Sequence, residues 1–381
     1  MKGFVSILFL VLIGVAEQSI AHDMGDGAHV EVVVTDSLEF QLDITYQEFL
    51  VIPGVDKDDD GRVSATEQES IDLKTLDDYI LQNLEIRMDD EFCVIDIVGH
   101  ERIQHPAGDY LRFRLAHQCK GVGSSLEVEY RLFFQQNPYH QGTLTLSQGG
   151  RASLYYFWQD QQVNRVSLEG DTLTSVLLSG MRWGIHHIVV GYDHLLFLLC
   201  LLLPSVLVRH GKGELGRIPQ PAPSIRPVIL TVVQIVTAFT VAHSLTLGLV
   251  IMGWVGSPSP RFVEAGIAVT IMLVAVNNII PIPSRLKTSA GGVLVVMALG
   301  LLHGFGFAAG LNVKAIPSDD LVWTLLAVNV GIELGQLVFV LCVVPMLFGV
   351  RKWSWYQQGV LRGGSVVAFF VAFWWLVDRL G

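Results

Sequence analysis

Hydrophobic positions follow two different patterns along the chain, one in each half. Up to about residue 175, short stretches rich in β-branched and aromatic residues, bounded by turn-forming residues, predict strands. The predicted strands cover residues 29–34, 40–46, 92–98, 110–116, 126–134 and 152–158. A predicted helical stretch over residues 65–88 interrupts them. Residues 22–175 are therefore predicted to form a small, mostly β domain.

From residue 184 onward the pattern changes to long apolar runs separated by short polar loops. Six runs predict transmembrane spans, at residues 184–208, 228–254, 262–282, 291–311, 321–350 and 360–380. Each run is long enough to cross about 30 Å of hydrocarbon. The runs lack the alternation of barrel strands, so helix is the backbone that can satisfy its own hydrogen bonds in lipid. Residues 176–381 are predicted to be a polytopic α-helical membrane domain with six helices.

The first 21 residues have the three parts of a secretory signal peptide. Lys2 supplies the positive charge, residues 4–16 the apolar core, and Ser19-Ile20-Ala21 the cleavage site. The apolar core is too short to cross the hydrocarbon, which argues against the alternative of an uncleaved anchor helix. We expect cleavage after Ala21, so that the mature chain begins at His22 outside the cytoplasm.

Basic residues in the predicted loops give an independent test of orientation. If the first domain is exported, the cytoplasmic loops hold Arg209, Lys212, Arg217, Arg226, Arg285, Lys287, Arg351, Lys352 and Arg362. The exterior segments hold only Arg261, Lys314 and Arg379. This asymmetry follows the positive-inside rule. It predicts a multi-pass protein of the inner (plasma) membrane, with the β domain and the C-terminus extracytoplasmic.

Composition narrows the class of protein further. The chain is 51% hydrophobic and 16% charged, against about 25% charged residues in an ordinary soluble domain. The net charge of −11 excludes nucleic acid as a partner, because phosphate neutralisation needs clustered cations. The lipid bilayer is an expected partner, and protein partners stay open.

In an oxidising compartment, Cys93 and Cys119 on neighbouring predicted strands are expected to form a disulfide, with two free buried thiols as the alternative.

Ionisable side chains inside predicted spans are the main functional signal, since each costs about 2.5–3.5 kcal/mol to insert. The polar set comprises His186, His187, Asp193, His194, His243, Glu264, His303, Glu333 and Gln336. At about 1.5 Å per residue, nearly all of them fall in the outer half or the middle of the membrane. A single intramembrane histidine can also be a helix–helix hydrogen-bonding group, and His243 beside Ser244 is open to that interpretation.

The spacing within the first span favours a metal site. His187 and His194 are two turns apart on a continuous helix and are expected to share a face, with Asp193 placed to accept the second N–H of a ligating imidazole. Imidazole and carboxylate suit Ni, Co, Zn or Fe and argue against Mg or Ca at this site. The predicted metal ligands are His187, Asp193, His194, His243, His303 and Glu333. Secondary candidates are His186, Glu264, Gln336 and His22. If the signal peptide is cleaved, His22 combines a free amine with an imidazole, and the alternative for it is a disordered polar terminus.

Several motifs, in this order, resemble the HupE/UreJ family of membrane proteins, which are regarded as nickel or related metal permeases. The motifs are GIHHIVVGYDHLLFLL at 184–199, TAFTVAHSLTLGL at 237–249, VEAGIAV at 263–269, GLLHGFGFAAGL at 300–311 and NVGIELGQL at 329–337. The resemblance covers residues 180–344 and implies that His187, Asp193, His194 and His303 handle the metal. Simpler members have two histidines in an HGxxHG-like run, whereas this chain has Phe307 after Gly306. The chain is similar to the branch with a large exported N-terminal domain.

A second metal signal lies in the exported domain, where residues 56–67 read DKDDDGRVSATE. The stretch matches the EF-hand calcium loop, in which carboxylates occupy positions 1, 3, 5 and 12 and glycine position 6. The predicted Ca²⁺ ligands are Asp56, Asp58, Asp60, the carbonyl of Arg62, Ser64 and Glu67, with Gly61 at the sharp turn. The alternative is a solvated acidic turn. No second loop is visible in the sequence, so the predicted role is structural.

The leading hypothesis is a permease that binds a divalent transition metal at the intramembrane site and imports it. One alternative is an intramembrane zinc-dependent hydrolase, in which the histidines hold Zn²⁺ and Asp193 or Glu333 activates water. An apolar inner half suits an enzyme, whereas a transporter needs an onward path, for which Asn277 and Asn278 are candidates. A receptor-like module whose spans are only a scaffold is the third possibility, and it predicts no bound transition metal.

Overall fold

The computed structural model describes residues 27–34, 38–105, 108–119, 123–137, 140–149, 151–168, 173–209, 219–256, 258–280, 289–309 and 318–380. The predicted signal peptide and His22 lie outside these residues. The chain divides into two compact units. The β unit is Met24–Gly180 with Ala309–Ala327, and the helical unit is built mainly from Met181–Ala308 with Val328–Gly381.

Strands make up most of the described part of the β unit. They are β1 (Ala28–Val34), β2 (Leu38–Thr45), β3 (Leu84–Met88), β4 (Glu91–Phe92), β5 (Val94–His105), β6 (Gly108–Gln118), β7 (Ser125–Tyr130), β8 (Gly142–Gln148), β9 (Arg151–Phe157) and β10 (Val163–Ser167). Every predicted strand overlaps an observed one, which confirms the β-rich character. Strands β3, β8 and β10 lie outside the predicted set.

The strands form two sheets around one apolar core. The six-stranded sheet has the order β5-β6-β2-β1-β8-β9, and the four-stranded sheet has the order β10-β7-β3-β4. Strands β1 and β8 are parallel, and the other pairs are antiparallel. Alternate residues of β1, such as Val30 and Val32, are buried, as period-two patterning requires. Buried side chains of both sheets belong to the same core cluster, which includes Phe40, Phe113 and Tyr130.

The single helix predicted over residues 65–88 is wrong. Two helices, α1 (Ala65–Ser70) and α2 (Leu73–Asn83), precede strand β3. The side chain of Asp72 accepts a hydrogen bond from the N–H of Lys74 at 3.2 Å and so caps a second helix. Residues 84–88 alternate between buried and half-buried and pair with β7, so strand pairing prevails over helix continuation there. The predicted disulfide between Cys93 and Cys119 is confirmed.

The helical unit is dominated by apolar helices. They are α3 (Leu173–Val190), α4 (Tyr192–Leu202), α5 (Ile225–Ile251), α6 (Pro260–Ile279), α7 (Ser289–Ala309), α8 (Ser318–Val350) and α9 (Gly364–Leu380), and a π-helical turn (Tyr356–Gly363) leads into α9. Short strands β11 (Leu207–Arg209) and β12 (Pro219–Pro221) pair between α4 and α5.

Four helical segments in the described chain are long and apolar enough to cross a membrane. They are Ile225–Ile251, Arg261–Ile279, Leu321–Val350 and Tyr356–Leu380. Helices α3 and α4 together make a fifth if the bent pair counts as one span. The fourth predicted span corresponds to a shorter apolar helix, Gly292–Phe307. The chain is therefore a multi-pass membrane protein by these helices, and the six predicted spans are not confirmed.

The first predicted span is not a continuous helix. The chain bends by 69° between α3 and α4, with Gly191 at the break. A β-carbon at Gly191 would lie 2.6 Å from the carbonyl oxygen of His187, so glycine permits this close turn. The prediction that His187 and His194 share a face of one helix is wrong, because the helix is broken between them. The bend itself brings the two side chains together.

Small residues let the helices around this bend pack closely. A β-carbon at Gly184 of α3 would lie 2.1 Å from the carbonyl oxygen of Val328, and one at Gly331 of α8 would lie 2.1 Å from that of Met181. Helices α3 and α8 therefore cross with their backbones in close approach, as small residues allow in membrane helices.

Candidate metal centre

Four histidines from four helices converge inside the helical unit. They are His187 of α3, His194 of α4, His243 of α5 and His303 of α7, and none is more than 4% exposed. The ring centroid of His194 lies 4.7 Å from that of His187, 5.0 Å from that of His303 and 6.0 Å from that of His243. Imidazoles that share one ion through nitrogens at about 2.1 Å have centroids on the order of 5 Å apart. Two of the three distances are close to this value, and the His194–His243 distance is longer.

Two of the four imidazoles are oriented by hydrogen bonds that leave the other ring nitrogen free. Oδ1 of Asp193 lies 2.9 Å from Nδ1 of His194, so this nitrogen carries the proton and Nε2 keeps its lone pair. The hydroxyl of Thr270 donates to the carbonyl of Ile267 at 2.6 Å and lies 3.1 Å from Nε2 of His303. The hydroxyl oxygen is thus the acceptor for Nε2–H, which leaves the lone pair on Nδ1 of His303.

Several ring nitrogens of this cluster are buried without a hydrogen-bond partner in the described chain. They are Nε2 of His187, Nε2 of His194, both nitrogens of His243 and Nδ1 of His303. A buried polar group without a partner costs about 1–3 kcal/mol, so such groups in one place call for an explanation. Because neither nitrogen of His243 is bonded, the alternative of a helix–helix hydrogen-bonding role for that histidine has no support here.

Aromatic rings surround the four histidines. Phe307 packs 4.3 Å from His187 and 5.9 Å from His243, and Trp183 packs 4.4 Å from Phe307. Phe239 lies 5.2 Å and Phe197 lies 4.7 Å from His303. Phe307 therefore fills the space where a further imidazole could have reached the cluster. The walls are apolar, so water is largely excluded around the imidazoles.

The histidine nitrogens are near one another but are not drawn to a single point. Among the described residues, the one group of three potential ligand atoms within 4.8 Å of each other is that of Asp56, Asp58 and Asp60. A shared ion in the helical unit would therefore require the imidazoles to turn about their side-chain torsions. Rotation of that kind is small compared with the helix movements that a scattered set would need.

The other sequence-predicted residues lie around this cluster with different contacts. Oε1 of Gln336 accepts from the hydroxyl of Thr240 at 2.9 Å, which ties α8 to α5. Glu333 is half-buried one turn before Gln336 on the same side of α8. Glu264 forms an ion pair with Arg379 at 3.3 Å. His186 is half-buried beside His187.

Sequence reasoning missed the residues that orient and wall the site. Thr270 and the aromatic rings of Phe197 and Phe239 carry no charge, so a search for ionisable groups passes over them. The hydroxyl of Ser244 donates to Oδ1 of Asn329 at 2.5 Å, a second tie between α5 and α8. The sequence signal for this bond is the small hydroxyl residue Ser244, which directly follows His243.

Asn278, a candidate for an onward path, has a packing role in the structure. Its amide donates to the carbonyl of Cys200 at 2.8 Å and to the hydroxyl of Ser365 at 3.2 Å. The residue is buried and joins α4, α6 and α9. Its donors are therefore committed to other helices.

Three carboxylates lie close together in the acidic loop of the β unit. Carboxylate oxygens of Asp56, Asp58 and Asp60 lie within 4.8 Å of one another. Gly61, at the predicted sharp turn, has a φ of +75°. Glu67 accepts hydrogen bonds from the N–H of Lys57 at 2.6 Å and from the N–H of Ser64 at 2.8 Å. These bonds, with one from the Ser64 hydroxyl, lower the pKa of Glu67 to about 2. Glu67 thus caps α1, and it would have to turn from this cap to bind an ion.

Comparison with known proteins agrees with the motifs. A family model described as HupE / UreJ protein matches residues 163–379, more than half of the chain. No curated protein matches the chain by sequence. The chain belongs to the HupE/UreJ family, and the resemblance first seen in its motifs is confirmed.

Proposed function

We propose that this HupE/UreJ protein is a permease that binds a divalent transition metal within the membrane and imports it. The family is associated with nickel and cobalt transport, which supports metal permeation in general terms. The finer assignment concerns the site: His187, His194, His243 and His303 bind the ion, and Asp193 orients His194.

The observation that carries this proposal is the set of unpaired ring nitrogens on four buried imidazoles. A metal ion would satisfy one ring nitrogen on each of the four imidazoles, whereas plain helix packing leaves these nitrogens unpaired at a cost. The break between α3 and α4 is a second support, because transporter sites are often built at the ends of discontinuous helices. Asp193 lies in the first turn of α4, where the helix dipole favours a negative charge.

The ligand chemistry defines the class of metal. Neutral imidazole suits Ni²⁺, Co²⁺, Zn²⁺ and Fe²⁺, and an all-nitrogen set disfavours Mg²⁺ and Ca²⁺. Glu333, half-buried on the α5-facing side of α8, is available as an oxygen ligand along the path. The ion itself is the substrate, so it must be bound weakly enough to leave.

Uptake in cells tests the proposal. We expect the variants His187→Ala, His194→Ala and His303→Ala to lose accumulation of radioactive nickel or cobalt while reaching the membrane in normal amounts. His100→Ala is the matched control, because that histidine belongs to the β unit, where it contacts Asp77. Normal uptake in all three cluster variants would contradict the proposal.

The same cluster could serve an intramembrane zinc-dependent hydrolase, and reconstitution separates the two functions. Purified protein in sealed liposomes accumulates metal in the lumen if it is a permease. A hydrolase binds a stoichiometric amount and accumulates none. A receptor-like scaffold binds no transition metal after purification.

We also propose that the loop at residues 56–67 binds Ca²⁺ and stiffens the β unit. The three neighbouring carboxylates and the positive φ of Gly61 support this assignment. Calcium should raise the melting temperature of the β unit in the full-length protein, and Asp58→Asn should remove most of the effect. Asp78→Asn, at an exposed position of α2, is the control. Equal calcium responses in both variants would refute the site.

A further inference from the structure

A buried ion pair beside the histidine cluster has no part in the function proposed so far. Glu264 lies near the start of α6, and Arg379 lies in the last turn of α9. Nε of Arg379 is 3.3 Å from Oε2 of Glu264, and the two side chains are only 8% and 12% exposed. Nη1 of Arg379 also donates to the backbone carbonyl of Glu264 at 2.9 Å. The guanidinium is therefore held by two oxygens of one residue.

The pair stands close to the cluster along α6. Glu264 precedes Thr270, the hydrogen-bond partner of His303, by six residues, or about 9 Å along the helix axis. The pair is thus at the end of the cluster where α6 begins and α9 ends. With the C-terminus outside, as the loop charges predict, this is the side from which an imported ion arrives.

Contacts at this place also tie α6 to α9, because Arg261 donates to the backbone carbonyls of Arg379 and Leu380. Helix packing by itself does not require a pair of charges here. A guanidinium stays protonated in any protein environment, and a buried ion pair is often no more stabilising than an apolar pair of the same size. A fixed positive charge next to a cation site also repels the cation. The position of Arg379 is explained if its guanidinium moves, so that it repels the cation at one stage and not at another.

We propose that Arg379 and Glu264 form a charge gate on the outer side of the histidine cluster. This inference rests on the proposed metal permease. An arriving divalent cation displaces the guanidinium from Glu264, whose carboxylate becomes the first oxygen ligand. The ion then passes to the imidazoles, and Arg379 returns to Glu264 behind it. Only ionic contacts are exchanged, and no covalent bond changes.

The charge gate predicts opposite changes in the rate of ion binding when Arg379 or Glu264 is replaced. A purely structural ion pair does not predict opposite changes. Without the guanidinium, Glu264 loses this ion pair and the repulsion by Arg379 is gone, so the ion should bind faster. Without the carboxylate, the first ligand is lost while Arg379 remains, so the ion should bind more slowly. The final complex with the histidines should be the same in both cases.

Stopped-flow absorption of Co²⁺ binding to the purified full-length protein in nanodiscs tests the gate. Cobalt alone is the probe, since its visible bands report the nitrogen ligands. We expect association about 10-fold faster in Arg379→Gln and about 10-fold slower in Glu264→Gln, the lower end of electrostatic effects on association rates. The spectrum at saturating Co²⁺ should match that of the wild type in both. Asp378→Asn, an exposed neighbour on α9, and Arg362→Gln, an exposed arginine of the π-helical turn, should keep the wild-type rate.

Each glutamine variant tests the gate by itself, so if one of them fails to fold, the other still gives the answer. If neither gives the saturated spectrum, Glu264→Asp and Arg379→Lys decide, because both keep the charge and weaken the contact, and both should bind Co²⁺ faster. Wild-type rates in the folded variants would overturn the gate. Absence of histidine-dependent Co²⁺ binding in the wild-type protein would instead overturn the proposed function, so the two failures are distinct.

Discussion

Replacement of Asp193 by asparagine removes one negative charge and keeps the shape of the side chain. In the wild type, Oδ1 accepts from the backbone N–H of His194 at 2.8 Å and lies 2.9 Å from its Nδ1. An amide either accepts more weakly or presents its NH₂ group and favours the wrong tautomer, in which Nε2 holds the proton. Loss of such an outer-shell carboxylate lowers metal affinity by about 10–100-fold, or roughly 1.4–2.7 kcal/mol.

Calorimetric or spectroscopic titration of purified Asp193→Asn with Co²⁺ measures this loss, with Asp378→Asn, at an exposed position of α9, as the control for removal of an acid. An unchanged affinity would refute the orienting role of Asp193. A loss well beyond about 100-fold would also refute it, because an outer-shell partner accounts for no more than that and the carboxylate would then be a direct ligand. The binding stoichiometry should stay unchanged.

Gly331→Ala should prevent proper helix assembly, because its β-carbon would lie 2.1 Å from a backbone oxygen. Gly349→Ala is the control and should have no effect, because its β-carbon would have no atom within 4 Å. Size-exclusion profiles in detergent distinguish the two variants, and equal profiles would contradict the prediction. Loss of the disulfide in Cys93→Ala/Cys119→Ala should destabilise the β unit by about 2–4 kcal/mol, visible in chemical denaturation, and an unchanged midpoint would contradict this. Hydrogen bonds from two serine N–H groups lower the pKa of Asp89, so its stabilising effect is complete above the ordinary carboxyl pKa of about 4 and is lost as the pH falls further. The difference in amide exchange between wild type and Asp89→Asn should therefore be present at neutral pH and shrink in acid, and a pH-independent difference would exclude the charge as its cause.

The sequence predicts which parts of the chain are β-rich and which are helical more accurately than where each strand or helix begins and ends. Strand β1 is readable because Val30 and Val32 alternate with polar residues, and the alternation reflects one buried face. Strand β3 is not visible in the sequence pattern because residues 84–88 follow a helix directly, and their pairing with β7 and β4 makes them extended. Tertiary pairing of this kind is not present in the local pattern.

For the candidate metal centre, the sequence indicates the residues but not the helix geometry that brings them together. His187, His194, His243 and His303 could be identified because histidine is costly in lipid, and the structure brings all four together. The spacing of His187 and His194 predicts a shared face on one continuous helix, and this is wrong because the helix breaks at Gly191. The apolar periodicity continues through the break, so the sequence pattern alone does not reveal it.

Partners of the charged residues were the least predictable feature. Glu264 was expected to be a possible metal ligand, and its ion pair with Arg379 joins residues more than a hundred positions apart. Arg379 was counted only as a loop charge. Such a contact depends on how α6 and α9 pack, which a single sequence does not contain.

X-ray absorption of the purified protein loaded with nickel tests the central claim, that buried imidazoles from separate helices hold one transition metal ion. We expect nitrogen scatterers at about 2.0–2.1 Å with the outer-shell pattern of several imidazoles, and fewer of them in His303→Ala. A spectrum of oxygen ligands alone, or one unchanged when His194 or His303 is replaced, would contradict the claim.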